Sequence, residues 1–387
     1  MNDFALPQEY VILRDSLRKF ISKEVDPIVE AFEESREFPE QIHKAFQEMG
    51  LYGLTIPQRY GGQEISRLGY VIVNEELGKT ALSVRARMSV NNGLGSQGIL
   101  NFGTEEQKKR YLPRIASGDA IAAFACTEPD AGSDIAGIKT RAVKHQGCYV
   151  LNGSKQFITH SPSADVFTVI ARTGTDKGKA GLSAFIVEKN TPGMAVGRIE
   201  RKMGFHGAVT AQLFFEDCRI PEENLMGGME NTGFNVATTA IDWARLGVSA
   251  CCVGGAEKLL ELAIKYSKER IQFGKPISSF QIIKAKLADI AIRVYSARCI
   301  VHDVARKKDD NQDVRLESSI IKYFATETAF YVADQVLQIF GGVGYTKEFP
   351  VERFFRDFRL LRIVDGTSEI HQLIIAKELL DRGKLFD

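Results

Sequence analysis

Between about Ala122 and Pro221 the chain drops its three-to-four-residue apolar repeat and alternates instead, and this interruption constrains the fold more than any other feature. The runs CYVL (148–151), VFTVI (166–170), LSAFIV (182–187) and AQLFF (211–215) are β-branched or aromatic, with Gly, Asn and Asp between them. Regular spacing of such runs predicts a small antiparallel barrel or sandwich. Helical periodicity flanks it on both sides. Tyr10, Leu13, Leu17, Phe20, Ile21 and Val25 form one apolar stripe that stops before Pro27. A second helix follows Pro39, with Ile42, Ala45, Phe46 and Met49, and closes at Gly50. A short helix over 108–116, punctuated at Pro113, leads to a boundary near Gly118. After Gly227, helical patterns cover roughly 232–271, 280–307, 314–339, 351–360 and 368–382. Their short Gly- or Pro-containing connections predict a helical bundle. The order is helices, strands, helices, with no internal repeat and no βαβ rhythm.

A chain of 387 residues, 44% apolar and 26% charged, is expected to fold into two or three globular domains. Fifty basic residues against forty-nine acidic ones leave +1, which provides no long-range attraction for nucleic acid. The basic run at Arg306–Lys308 meets Asp309 and Asp310 and is expected to be a solvated helix end. The first residues lack a basic start and an apolar core, so no secretory signal is expected. No apolar run approaches the ~18 residues needed to span a bilayer, so no membrane segment is expected. Six cysteines contain no CxxC pair, and six histidines show no metal-ligand spacing. A reduced cytoplasm and a metal-free chemistry are the expectation, with Cys251 and Cys252 as core fillers.

Four segments carry candidate chemistry. Near the C-terminus Asp365 stands in an Asp-Gly turn directly before a helix start at Thr367 or Ser368, a way to present a carboxylate base on a fixed backbone. Gly341, Gly342 and Gly344 upstream remove side chains where a bulky group approaches the main chain. In 124–134, small and hydroxyl residues flank a Pro-bounded turn, so backbone N–H groups and the hydroxyls of Thr127 and Ser133 can face one side and hold carbonyls or phosphate oxygens. In 151–159 a turn leads into a strand with an aromatic face and then a hydroxyl. In 270–281 a cation, Arg270, closes one helix, and Phe280–Gln281 opens the next; Arg270 suits its own helix carbonyls or a pyrophosphate.

Together TEPDAGSD (127–134), NGSKQFIT (152–159), RIQFGKPISSFQ (270–281), QIFGGVGYTKEFPVERFFRD (338–357) and DGTSEI (365–370) resemble the acyl-CoA dehydrogenase family in wording, order and spacing. The resemblance covers essentially the whole chain. It implies an α+β fold: an N-terminal α-helical domain (1–120), a middle antiparallel β-barrel domain (121–228) and a C-terminal four-helix-bundle domain (229–387). It also implies FAD bound without a Rossmann fold, in keeping with the missing strand–GxGxxG–helix unit. By resemblance Phe124, Thr127, Ser133, Phe157, Ile158 and Thr159 wrap the flavin ring. Arg270, Phe273, Phe280, Gln281, Gln338, Gly341 and Gly342 meet the dinucleotide of a neighbouring subunit, and Thr367 and Glu369 complete the pyrophosphate site. Ser133, Asp242, Arg245 and Gly366 hold the coenzyme A thioester. The implied partners are an acyl-CoA substrate, an electron-transferring flavoprotein and three further copies in a homotetramer. Asp365 would take the α-proton while flavin takes the β-hydride; its own backbone N–H and a ribityl hydroxyl would stabilise the enolate.

Two positions depart from the family pattern. Most relatives carry Glu where this chain has Asp365, one methylene shorter, so its reach falls short by roughly 1.5 Å, a misplacement able to reduce rate on the order of 100-fold. The base position used by other branches, on the helix of Asp242 and Arg245, is Ala244 here. Nitroalkane oxidases, distant relatives, use an aspartate base, which leaves a flavoprotein oxidase as an alternative. A non-catalytic binding relative, as in the DNA-associated branch, is a second alternative that the near-zero charge opposes. Arg85 and Arg87 stand where many relatives have apolar residues, and Arg85 aligns with an arginine of glutaryl-CoA dehydrogenases that holds a substrate carboxylate. A carboxylate-bearing acyl group follows if Arg85 faces the pocket; otherwise both arginines face solvent or pair with Glu75 or Glu76. His160 is expected to be structural, and Trp243 is either a substrate neighbour or a packing residue.

Overall fold

The computed structural model describes residues 6–174 and 178–385. The helical stripe at the start forms α1 (Gln8–Phe20), carried on by a wider π turn over Ile21–Val25 until Pro27 removes the next N–H. Then come α2 (Val29–Ser35), α3 (Glu40–Glu48), α4 (Arg67–Gly78), α5 (Leu82–Val90), α6 (Gln97–Phe102) and α7 (Glu105–Ser117). The start of α7 is a capping box between Thr104 and Gln107, and Gly118 at φ 82° ends it. Pro113 lies inside this helix instead of breaking it, because Tyr111, Leu112, Ile115 and Ala116 on either side are buried.

The middle of the chain holds β1 (Ala122–Ala125), β2 (Arg141–His145), β3 (Cys148–Thr159), β4 (Val166–Arg172), β5 (Leu182–Glu188), β6 (Met194–Ile199) and β7 (Thr210–Pro221). Pairing runs β1-β4-β2-β3-β7-β6, with β5 also on β4, a half-barrel. The four predicted runs fall within β3, β4, β5 and β7. The purely antiparallel expectation needs correcting, since β1 pairs β4 in parallel (Ala122 opposite Val166) and β2 meets β4 in parallel at Arg141 and Arg172. β1 enters through a crossover and not through a hairpin, which places it beside β4 in the same direction. β4 and β5 are buried on both faces, and α8 covers them.

The last part comprises α8 (Gly233–Glu269), α9 (Gln281–Asp309), α10 (Arg315–Phe340), α11 (Val351–Leu361) and α12 (Ser368–Arg382). α8 is the spine: α10, α9 and α4 all pack on it. Small residues let α4 approach closely, and a Cβ on Gly254 would lie 1.8 Å from the Glu75 carbonyl oxygen. Next to this crossing a buried ionic network joins four helices. Glu75 of α4 accepts from His302 of α9 at 2.9 Å, Arg298 grips Glu257 of α8 through two 2.9 Å bonds, and Arg18 of α1 and Lys79 hold Glu76. Cys251 and Cys252 are buried within α8 at this contact. Among the described residues no helix is long and apolar enough to cross a membrane, and no group of three His, Cys, Asp or Glu could hold a metal ion.

Candidate active site

α11 ends at Leu361 and α12 begins at Ser368, and the chain between them must turn sharply. It does so with two consecutive left-handed residues, Asp365 (φ 57°) and Gly366 (φ 98°). Glycine takes that conformation without strain and aspartate is among the few other residues that tolerate it. Thr367 then caps α12, its hydroxyl accepting the Ile370 N–H at 3.3 Å. The turn forms part of the wall of a cavity of about 710 Å³ that also takes in α5, α8, α11, the 124–135 loop, the end of β3 and residues 200–208.

Both turn carbonyls face inward onto donors from three helices. Arg245 Nε and His371 Nε2 each reach the Asp365 carbonyl at 3.3 Å, and Lys322 Nζ donates to the Gly366 carbonyl at 2.6 Å. The Asp365 amide N–H has no acceptor among the described residues and remains available to a ligand. Burial raises the Asp365 carboxyl above the usual carboxylate range, and Lys322, Arg85 and Arg245 act against that rise. Burial, with Arg245 and Lys322 beside it, lowers His371 to about 3, so this ring is neutral. Burial also lowers Lys322 to about 8.

Phe124, Thr127, Ser133, Phe157, Ile158, Thr159, Arg85, Arg245, Asp365, Gly366 and Thr367 all line this one cavity. Phe157 reaches it through a bulge: the β3–β7 register slips between Lys155 and Ile158, leaving Phe157 at φ 60° and 57% exposed. The Thr127 loop is tied to β3 by the bond from Gln156 N–H to the Thr127 carbonyl and by a buried ion pair of Lys155 with Glu128 at 2.7 Å. Arg85 is 4% exposed; its Nε donates to Asn74 Oδ1 at 2.7 Å, and no carboxylate among the described residues forms an ion pair with it. Arg87 turns away to Ser163 Oγ at 2.8 Å with its guanidinium over Phe38. Neither arginine pairs with Glu75 or Glu76, which are taken by the interhelical network.

Other predicted residues lie elsewhere. Asp242 pairs with Lys308 and is not part of the cavity wall. Arg270, Phe273, Gln281, Gln338, Gly341 and Gly342 are exposed at the far ends of α8 and α10 and the start of α9, outside the cavity. Phe280, half-buried, stands edge-on to Phe273. Glu369 is exposed in the first turn of α12, and its own backbone N–H and the Thr367 hydroxyl lower its carboxyl. His160 is buried, its ring neutral, lowered to about 3 by burial. Trp243 packs edge-on against Tyr70 beneath the Arg67 guanidinium. Lys322 and His371 escaped the sequence reading: one is a lysine in mid-helix, the other follows the cap by a turn, and neither belongs to a motif.

The cavity wall suits the flavin that the resemblance implies. Phe157, Met203 and Ile363 are half exposed or more there, an apolar surface that a planar aromatic ring would cover, next to the Thr127 and Thr159 hydroxyls.

Comparison with known proteins identifies three matching domains: the acyl-CoA dehydrogenase N-terminal domain over residues 7–119, the middle domain over 123–218 and the C-terminal domain over 231–380. The chain is 43% identical to an acyl-CoA dehydrogenase of Bacillus subtilis, over 96% of this chain and 98% of the relative. It is 42% identical to the acryloyl-CoA reductase (NADH) of Anaerotignum propionicum, over 98% and 96%. Its fold superposes on butyryl-CoA dehydrogenase from Megasphaera elsdenii with a TM-score of 0.94 at 37% identity, covering 98% of this chain and all (100%) of the other.

Proposed function

The chain belongs to the acyl-CoA dehydrogenase family, and from that premise we propose that Asp365 removes the α-proton of an acyl-CoA whose acyl group ends in a carboxylate held by Arg85. The family is FAD-dependent, and the chain is an oxidoreductase acting on the CH–CH unit of an acyl-CoA thioester. The observation that carries the substrate reading is Arg85, a buried guanidinium that faces the same cavity as Asp365 and forms an ion pair with no carboxylate among the described residues. Such a charge is expensive unless an anion meets it.

In the forward reaction an Asp365 carboxylate oxygen bonds the α-proton as the Cα–H bond breaks, and the electron pair spreads onto the thioester carbonyl. The free Asp365 N–H donates to that oxygen as charge develops. Bound FAD would supply the acceptor for the β-hydrogen and its electron pair, so that the enolate pair closes the Cα–Cβ double bond of a trans-2-enoyl thioester. Thr127 and Thr159 would bond the polar edge of the ring, and Thr367 and Glu369 the pyrophosphate. Arg270, Phe273, Phe280, Gln281, Gln338, Gly341 and Gly342 would meet the dinucleotide of a neighbouring subunit in a homotetramer. The 92% exposure of Phe273 supports a covering partner. Electrons would leave to an electron-transferring flavoprotein. Because burial helps Asp365 keep the proton it takes, the same carboxyl also suits the reverse step, protonation of an enoyl-CoA, the direction for which the Anaerotignum relative is named.

Glutaryl-, succinyl- and butyryl-CoA assayed with an artificial electron acceptor test this reading. Asp365→Asn is expected to abolish flavin reduction, and Arg85→Ala to lower kcat/KM for the carboxylated substrates far more than for butyryl-CoA. Unchanged substrate ratios in Arg85→Ala would end the carboxylate reading, and reduction by Asp365→Asn at the wild-type rate would end the assignment of the base.

A further inference from the structure

We propose that Lys322 is a positioning residue for the reaction: from beneath the Asp365–Gly366 turn it tethers the turn and supplies the counter-charge of the Asp365 carboxylate. Lys322 is completely buried (0% exposed) in α10, and its one hydrogen bond among the described residues goes to the Gly366 carbonyl at 2.6 Å. A buried ammonium needs an anion near it, and a neutral carbonyl is not enough. Two carboxylates face it, Asp365 and Glu327. Glu327 is already engaged, its Oε1 accepting from Arg362 Nε at 2.7 Å and from Ser368 Oγ at 2.5 Å. That leaves Asp365 as the carboxylate still available to Lys322.

The other groups around the turn do not replace it. Arg245 also faces Asp365 from α8, but its one side-chain hydrogen bond among the described residues holds the Asp365 carbonyl. Arg85 faces it from α5 and, on the substrate reading, is drawn to the acyl carboxylate. His371 of α12 is neutral, and the Tyr70 hydroxyl and the Cys251 and Cys252 thiols add no positive charge nearby. With Arg85 committed to substrate, Lys322 and Arg245 remain to hold Asp365 ionised until it takes the proton. The backbone tether adds orientation, since bonds to the Asp365 and Gly366 carbonyls restrain the two peptide planes that follow Asp365.

This inference rests on Asp365 as the base, so its test separates the two. The holoenzyme, labelled with 13C-aspartate, is titrated by infrared spectroscopy, and the protonated Asp365 carboxyl band is identified by its loss in Asp365→Asn. Lys322→Met is expected to move the midpoint upward by about one pH unit, about tenfold in proton affinity, and to move the acid limb of flavin reduction by the same amount. Lys322→Gln keeps a donor for Gly366 without the charge; it shifts the midpoint as methionine does, and serves if the methionine variant fails to fold. Lys322→Arg restores the wild-type midpoint. An unmoved midpoint in Lys322→Met or Lys322→Gln overturns the proposal, even where activity falls, because packing alone would then explain the loss. The midpoints are read without turnover, so they stand whether or not Asp365→Asn retains flavin reduction, the result that would instead remove the base assignment.

Discussion

Gly247→Ala isolates the Arg85 contact from the rest of the active site. Gly247 lies on α8, and a Cβ there would sit 2.6 Å from Arg85 Nη2, 3.0 Å from Tyr70 Oη and 3.2 Å from Asn74 Oδ1. Ordinary contact begins at 3.4 Å, so the guanidinium must retreat by about 0.8 Å. The intruding methyl group also crowds Asn74, whose Oδ1 fixes Arg85 Nε. A hydrogen bond to a charged group contributes about 1.5–3 kcal/mol, so losing one between Arg85 and an acyl carboxylate is expected to lower kcat/KM for glutaryl-CoA about 10- to 100-fold. Butyryl-CoA has no such group and is expected to stay within about threefold of wild type. The helix itself gains about 1 kcal/mol from replacing Gly with Ala, which offsets part of the overpacking, so urea unfolding should report a folded protein. Steady-state kinetics on both substrates, with the Arg85→Ala/Gly247→Ala double variant beside the single ones, provide the assay. The double variant should be no worse than Arg85→Ala on glutaryl-CoA, because both changes remove one interaction. Equal losses on glutaryl- and butyryl-CoA, or fully additive effects, would refute the reasoning.

Glu75→Ala takes away the acceptor of His302 and the second carboxylate on Arg298, which keeps its two bonds to Glu257, and should reduce stability by about 1–3 kcal/mol in urea unfolding; an unchanged stability would mean that the network does not join these helices. Asp357 accepts the Phe205 N–H at 2.6 Å, and burial, then Glu33, hold its carboxyl up to about 7, above the 3.8 of an unperturbed aspartate. With the folded value raised, this group's contribution is full below about pH 4 and is lost as pH rises through 7, on the order of a few kcal/mol. Asp357→Asn keeps the acceptor and removes the proton, so its stability should fall less than that of wild type between pH 5 and pH 8. Parallel slopes for the two proteins would contradict this. Asp365→Glu, with a longer arm in the same turn, should favour straight-chain substrates if reach is what the aspartate restricts; an unaltered substrate profile would show that it is not.

Much of this fold was legible because its signals are local. The five C-terminal helical patterns anticipated α8 to α12 closely, since Gly, Pro and capping residues punctuate them. α4 was not anticipated: eleven of its twelve residues, Leu68 to Gly78, are buried all round, so no polar face marks its period. β1, β2 and β6 were missed as well; β1 is four residues long, and β2 and β6 are largely exposed, so none shows a clear alternation.

The sequence by itself determined the three-part order of helices, strands and helices, the Asp-Gly turn that carries Asp365, and the hydroxyl-rich loop at Thr127, because each depends on residues within a few positions of one another. Only the tertiary structure decided that Arg85 enters the cavity while Arg87 leaves it, that Asp242 turns to Lys308, and that a slipped register exposes Phe157. It alone brought Lys322, Arg245 and His371 onto the carbonyls of a single turn. Those three side chains come from α10, α8 and α12, and Arg85 from α5, so their meeting depends on how closely the helices pack around α8, a property that no local pattern encodes.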